Sequence, residues 1–177
     1  LVDLALEEDL LLGDATSEAT IDAAARGEGR FLAKEDLVLA GGAVAARVFE
    51  KLGAGCRLDR ADGARVARGE TFGTAAGPVR ALLAAERTAL NFLQRLSGVA
   101  TLSAQFVDAV RGTRARIVDT RKTTPGWRRL EKYAVRCGGG ANHRATLADA
   151  VLVKDNHLAA VDGDVALAVR KAREYTA

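Results

Sequence analysis

Apolar residues along this chain change their period several times. Over "LVDLALEEDLLL" they recur every three or four positions, which predicts a helix stopped by Gly13. "GRFLAKEDLVLAG" predicts two short strands around Glu35–Asp36, and "GAVAARVFEKLG" returns to helical spacing with Gly53 at its end. "CRLDRADGARVARGETFGTAAGPVRAL" reads as strands joined by glycine turns, with "DGARVARGETFGTAAG" a hairpin. Strands and helices mixed in this way predict an α+β unit over the first half.

"LLAAERTALNFLQRLSGVATLSAQFVDAV" predicts two helices meeting near Ser97–Gly98. Leu82, Leu83, Ala89, Leu90, Leu93 and Leu96 form its apolar stripe. Glu86, Arg87, Asn91, Gln94 and Arg95 take the other side, where spacing alone makes Arg87 a solvated helix residue. Beyond Gly112, "ARIVDT" predicts a strand, "GWRRLEKYAVRC" a helix and "ADAVLVKDNH" a second strand. Strand, helix and strand in that order form a βαβ unit with parallel strands. "AVLV" lacks polar alternation, as a strand covered on both faces would. "DVALAVRKAREYTA" predicts a last helix.

With 49% apolar and 28% charged residues, the 177-residue chain has material for a core. No apolar run approaches the roughly 18 residues of a membrane helix. The acidic amino end lacks the basic region of a secretory signal. Cys56 and Cys137 fit neither a metal spacing nor a disulfide framework, so a reducing cytoplasm is the expected setting. The sequence contains no methionine and ends within an apparent helix, so it reads as part of a longer product. The V-x-x-G-E turn in "DGARVARGETFGTAAG" also occurs in biotinyl and lipoyl domains, but the lysine-bearing hairpin of those carriers is missing.

Charge changes the picture more. The net +3 conceals a segregation: residues 114–154 hold ten Lys or Arg against three acids, while the remainder holds 16 bases and 20 acids. Such a basic segment predicts an anionic partner, whether nucleic acid, phosphate or carboxylate, with a solvated basic face as the bland alternative. Aromatics make up only 5% of the chain, and the bases cluster at loop ends, which disfavours a nucleic-acid binder.

Parallel strands present ligand sites at their carboxyl ends. Arg121 and Lys122 end the first predicted strand, and Lys154, Asp155, Asn156 and His157 end the second. "GGGANHR" adds His143 and Arg144. Two cations about 4 Å apart repel by roughly 4 kcal/mol at an effective dielectric near 20. A bound anion would compensate, and Arg forks match carboxylates and phosphates. An internal ion-pair network using Asp119 and Asp155 is the competing explanation. Gly138–Gly140 serves a helix stop as readily as a phosphate loop, and His143 stays evenly open between a structural and a functional role.

"DTRKTTPGWRRLEKYAVRCGGGANHR", then "LVKDNHL", with "AERTALNFLQRLSGVAT" upstream, closely resembles the quinolinate phosphoribosyltransferase family. The likeness runs from "EEDLLLGDATSEAT" to the end of the chain. It implies an amino-terminal α/β sandwich domain over residues 1–98 and an α/β barrel domain from 99–177 that is incomplete here. It implies a glycosyltransferase (pentosyltransferase) of NAD biosynthesis. Phosphoribosyl would pass from phosphoribosyl pyrophosphate to quinolinate with decarboxylation, giving nicotinate mononucleotide, pyrophosphate and CO2, with Mg2+ accompanying the pyrophosphate substrate. It also implies a homodimer, or a higher oligomer built from dimers, whose active sites are completed by the neighbouring subunit, with no nucleic acid and no membrane.

On this resemblance Arg121, His143, Arg144 and Lys154 would surround quinolinate. Lys122, next to Thr120, would serve the quinolinate or the phosphoribosyl side, and Lys122 and Lys154 would be catalytic. Arg87 would reach a substrate carboxylate across the dimer, which overturns the solvated reading. No metal ligand is expected within this stretch. The family's acidic residues lie on later strands, so the stretch alone is expected to be inactive. A same-fold relative of the molybdenum-operon type, acting on another anionic substrate, is the alternative.

Overall fold

In the computed structural model, which describes residues 1–176, the first apolar pattern becomes α1 (Val2–Leu10). A second helix, α2 (Ala15–Thr20), has no apolar signature. It forms because Asp14 accepts the backbone N–H of Ser17 at 3.0 Å and also its hydroxyl, satisfying donors that a helix start leaves open. β1 (Arg26–Leu32) and β2 (Leu37–Val38) flank Glu35–Asp36 as expected, followed by α3 (Gly42–Lys51). Next come β3 (Gly55–Leu58), β4 (Arg65–Val66) and β5 (Thr71–Pro78).

β5 is the centre of an antiparallel sheet of order β1-β5-β3, with Thr74 opposite both Arg30 and Arg57. The expected β4–β5 hairpin does not form. β4 pairs with β2 instead, Leu37 opposite Val66, in a separate two-stranded sheet. The connection between β4 and β5 is committed elsewhere: Gly69 N–H donates to the Ala33 carbonyl at 2.8 Å, and Ala33 N–H donates to that of Glu70 at 3.0 Å. Those bonds lead the chain onto β1.

α4 (Val79–Ala109) is one uninterrupted helix of 31 residues, not two meeting near Ser97–Gly98. The polar residues there anchor a strand. Ser97 Oγ accepts Ala40 N–H at 3.1 Å, and Thr101 Oγ1 accepts Val38 N–H at 2.9 Å while donating to the Ser97 carbonyl. The expected division at residue 98 therefore falls inside a helix. Ala89, Leu93 and Leu96 are buried as expected, and Leu82 and Leu90 are half-buried. Leu83 is exposed, because the buried face is centred on Ala85, Ala89, Phe92, Leu96 and Ala100. Two positions before Ala85 is about 200° around the helix.

Two apolar clusters share α4. One joins it to α3 and the sheet through Val48, Phe49, Phe31 and Phe72, with Phe31 edge-on to Phe49 at 6.0 Å. Each such side chain contributes about 1.5–3 kcal/mol on burial. The other joins Leu96, Ala100 and Ala104 to Ala134 of α5 (Arg128–Cys137). Gly138 permits this approach: a Cβ there would lie 2.3 Å from the Ala100 carbonyl oxygen. The three glycines thus end α5 and let it sit against α4, with Gly139 in the left-handed region at φ +86°.

Neither predicted strand beyond Gly112 forms a full strand among the described residues. Residues 115–120 supply a single parallel bridge, Val118 to Ala141, in which Asp119 N–H donates to the Ala141 carbonyl and Ala141 N–H to that of Ile117. Strand, helix and parallel partner are present in rudiment, with Ala141 taking the place expected of 151–153. Val151, Leu152 and Val153 are exposed and unladdered; a parallel strand exists only through a hydrogen-bonded neighbour. No closed barrel occurs among the described residues.

The chain divides into two compact units, Leu1–His143 and a second beginning at Arg144. The second holds α6 (Asp155–Ala159) and α7 (Val165–Thr176). Asp155, Asn156 and His157 therefore begin a helix and do not end a strand. Among the described residues no helix is long and apolar enough to cross a membrane.

Candidate anion-binding site

The loop carrying Thr120, Arg121 and Lys122 is pinned at both ends. At its far end Pro125 and Gly126 turn the chain into α5, and Trp127 stacks on Phe92 of α4, ring centroids 4.8 Å apart. Glu131, one turn into α5, reaches back to accept the Thr124 N–H at 3.1 Å and its hydroxyl at 2.8 Å. Arg95 of α4 donates to the same carboxylate at 2.6 Å and to Thr124 Oγ1 at 3.1 Å. Burial pushes the Glu131 carboxyl up, but the bonds from Arg95 and Thr124 outweigh it and hold it below the usual glutamate range.

At the near end stands a buried ion pair. Lys132 Nζ donates to Asp119 Oδ1 at 2.5 Å, with side chains only 6% and 7% exposed. The same Oδ1 accepts the His143 N–H at 2.8 Å, and Lys132 Nζ also donates to the His143 carbonyl at 2.9 Å. Within the loop, Lys122 N–H donates to Thr120 Oγ1 at 3.0 Å.

Thr120, Arg121, Lys122 and His143 are thus brought together in the first unit. Arg87 lies on the exposed side of α4 with Glu86, Asn91, Gln94 and Arg95. Arg144 and Lys154 belong to the second unit. There, Arg144 donates to the Ala150 carbonyl at 2.9 Å. Lys154 precedes α6, its N–H donating to His157 Nδ1 at 3.1 Å.

The ion pairs of this molecule use other residues. Arg87, Arg121, Lys122, His143, Arg144 and Lys154 make no salt bridge among the described residues. Asp119, the carboxylate two positions from Arg121, is engaged by Lys132 and His143. Arg121 Nε is buried without a hydrogen-bond partner. The internal network that competed with a ligand therefore does not neutralise these cations. Donors left open on a pinned loop can bind a carboxylate or phosphate.

Sequence reasoning missed Lys132, Glu131 and Arg95 as organisers of the loop. A signal was available: Leu130, Ala134 and Cys137 set the inward face of α5, and Glu131 follows Leu130 on its flank. A charged residue placed there must find an internal partner.

On α5, Tyr133 donates to Asp62 at 2.7 Å, and Asp62 accepts the Gly41 and Gly42 N–H groups that open α3. Burial and then this bond push the Tyr133 phenol above its ordinary value. Among the described residues no group of three or more His, Cys, Asp or Glu could hold a metal ion.

Comparison with known proteins divides the chain within α4. Residues 14–97 match the quinolinate phosphoribosyl transferase N-terminal domain, and residues 99–177 match the C-terminal domain of that family. The nicotinate-nucleotide pyrophosphorylase [carboxylating] of Mycobacterium leprae is 48% identical over 174 residues, which cover 96% of this chain and 61% of that protein. Quinolinate phosphoribosyltransferase [decarboxylating] 1 of Nicotiana glauca is 43% identical over 177 residues, covering 98% and 50%. The crystal structure of NadC from Streptococcus pyogenes superposes with a TM-score of 0.94 at 44% identity, covering 99% of this chain and 62% of that one. The chain thus spans 61% and 50% of the lengths of these two curated relatives.

Proposed function

Because the chain belongs to the quinolinate phosphoribosyl transferase family, we propose that it supplies the first part of an enzyme that joins quinolinate to phosphoribosyl pyrophosphate. The products are nicotinate mononucleotide, pyrophosphate and CO2, in NAD biosynthesis. The observation that carries this reading is the pinned loop on which Arg121 and Lys122 have no acidic partner while Asp119 is held by Lys132.

Quinolinate carries two adjacent carboxylates on a pyridine ring. Arg121, His143, Arg144 and Lys154 grip those carboxylates, and Arg87 adds a cation from the neighbouring subunit of a homodimer. Holding the ring in line with the anomeric carbon contributes several kcal/mol through orientation alone. The ring nitrogen donates its electron pair to the anomeric carbon as the carbon–oxygen bond to pyrophosphate breaks. Lys122, beside Thr120, faces the charge growing on the leaving group. The positive charge of the pyridinium stabilises the electron pair left on the adjacent ring carbon when its carboxylate leaves as CO2. A proton then takes the vacated ring position.

Mg2+ is expected with the pyrophosphate substrate and would neutralise phosphate charge. We assign residues 1–98 to an α/β sandwich domain and residues 99–177 to the opening of an α/β barrel. Both cysteines are free thiols, which suits a cytoplasmic setting.

The test is quinolinate-dependent pyrophosphate release by the full-length protein, alongside titration with quinolinate and with nicotinate. Release with quinolinate and much weaker binding of the monocarboxylate are expected. Equal affinity for the two would favour a same-fold enzyme with another substrate.

A further inference from the structure

We infer that the buried Asp119–Lys132 pair is the positioning device that fixes the substrate-binding segments of this site, an inference that rests on the reading above. Neither residue is given a contact with substrate there. Their contacts are all with the chain. Lys132 Nζ bonds Asp119 Oδ1 and the His143 carbonyl, and Asp119 Oδ1 bonds the His143 N–H. Both backbone polar groups of His143 are thus held by one ion pair. Asn142 Nδ2 donates to the Lys132 carbonyl at 3.3 Å, and the Val118–Ala141 bridge lies one residue before Asp119. Residues 118–119 and 141–143, separated by the whole of α5, are joined at every level.

The pair has an electrostatic consequence as well. A carboxylate two residues from Arg121 is the natural neutraliser of that guanidinium. With Lys132 and His143 N–H on its Oδ1, Asp119 makes no ion pair with Arg121. Arg121 keeps its Nε buried and open. Lys132 and Asp119 Oδ1 therefore set the position of His143, while Asp119 Oδ2, like Arg121 Nε, stays buried without a hydrogen-bond partner.

The test uses the full-length protein. Lys132→Met strands a buried carboxylate and can fail to fold, because breaking one side of a buried pair is costly. The double variant Asp119→Asn/Lys132→Met removes both charges and keeps an acceptor for His143 N–H. Lys132→Arg preserves the charge and its donors. Three quantities are read: thermal midpoint, amide hydrogen exchange of residues 119–124 and 142–143, and quinolinate dissociation constant.

In the folded double variant, the amides of those two segments should exchange faster and the dissociation constant should rise about tenfold or more, the scale of one or two lost charge-assisted hydrogen bonds. Lys132→Arg should restore protection and bring affinity to within about threefold, since it keeps a charged donor at the same site. A folded double variant with unchanged exchange and unchanged quinolinate affinity overturns the inference. Unsubstituted full-length protein that does not bind quinolinate overturns instead the functional reading on which it rests, and that result is read without any variant.

Discussion

Arg95 and Glu131 meet at 2.6 Å between two helices, and both also bond Thr124 at the end of the cationic loop. Glu131 is 9% exposed on its side chain, whereas Arg95 is more than half exposed. The loop is thus fastened to α4 and α5 by one buried carboxylate. Glu131→Ala leaves the Thr124 N–H without its acceptor. Thr124 is exposed, so water can take over its N–H, and a loss of about 1 kcal/mol in urea unfolding of the full-length protein is expected, the usual net worth of an intramolecular hydrogen bond.

The same carboxylate sets a pH dependence. Its native pKa lies below the ordinary glutamate value because the bonds from Arg95 and Thr124 outweigh burial. The unfolded chain therefore binds this proton more tightly than the folded one. The stabilisation is complete above the unfolded value of about 4.3 and fades as pH falls through the native value. The stability gap between the unsubstituted protein and Glu131→Gln should shrink as unfolding is measured at increasing acidity. A gap that widened toward acid would refute the assignment.

Arg121 makes no salt bridge within the described chain, so its removal should cost little stability. Arg121→Ala is expected to weaken quinolinate binding about 10- to 100-fold, the range of one or two charge-assisted hydrogen bonds, with the thermal midpoint nearly unchanged. Calorimetric titration and melting of one preparation check both halves of that statement.

Arg87 is assigned to the neighbour's site and Lys122 to its own. Full-length Arg87→Ala and Lys122→Ala should each be inactive alone. Mixed and allowed to exchange subunits, they should recover about a quarter of the unsubstituted activity, because half the dimers are mixed and one of their two sites is intact. No recovery despite proven exchange would place Arg87 in the same subunit's site, or outside the site altogether.

Gly138 and Gly98 should respond oppositely to alanine. At Gly138 the added carbon would sit 2.3 Å from the Ala100 carbonyl oxygen and 2.7 Å from Ser103 Cβ, so α4 and α5 must separate. A loss of about 1–3 kcal/mol is expected, as for other overpacked sites. At Gly98, exposed within α4, nothing lies within 4 Å, and alanine should be neutral or stabilising by up to about 1 kcal/mol. Denaturant midpoints of the two variants make the comparison.

Periodicity and turn residues located α1, α3, α5 and the strands around Glu35–Asp36, because those signals are local. It failed where a distant partner decides. Ser97 and Gly98 look like a break until Ala40 is seen bonding to Ser97. Val66 reads as half of a hairpin until Leu37 supplies its partner. Val151–Val153 have strand composition but no neighbouring ladder. In the site, Thr120, Arg121, Lys122 and His143 were visible as polar residues at loop positions. Lys132 was hidden inside a helix among many bases, and only the fold reveals that Asp119 is its partner.

α4 has no joint between Arg87 and Arg95. Eight residues of unbroken helix separate their backbones by about 12 Å. One end of this rod holds the residue assigned to the adjoining subunit, and the other grips the loop of its own. In the proposed dimer the helix would act as a ruler, converting the spacing between two neighbouring active sites into a fixed length written in the sequence. Inserting a single residue between Ala89 and Gln94 would rotate one arginine by about 100° relative to the other while leaving every side chain present.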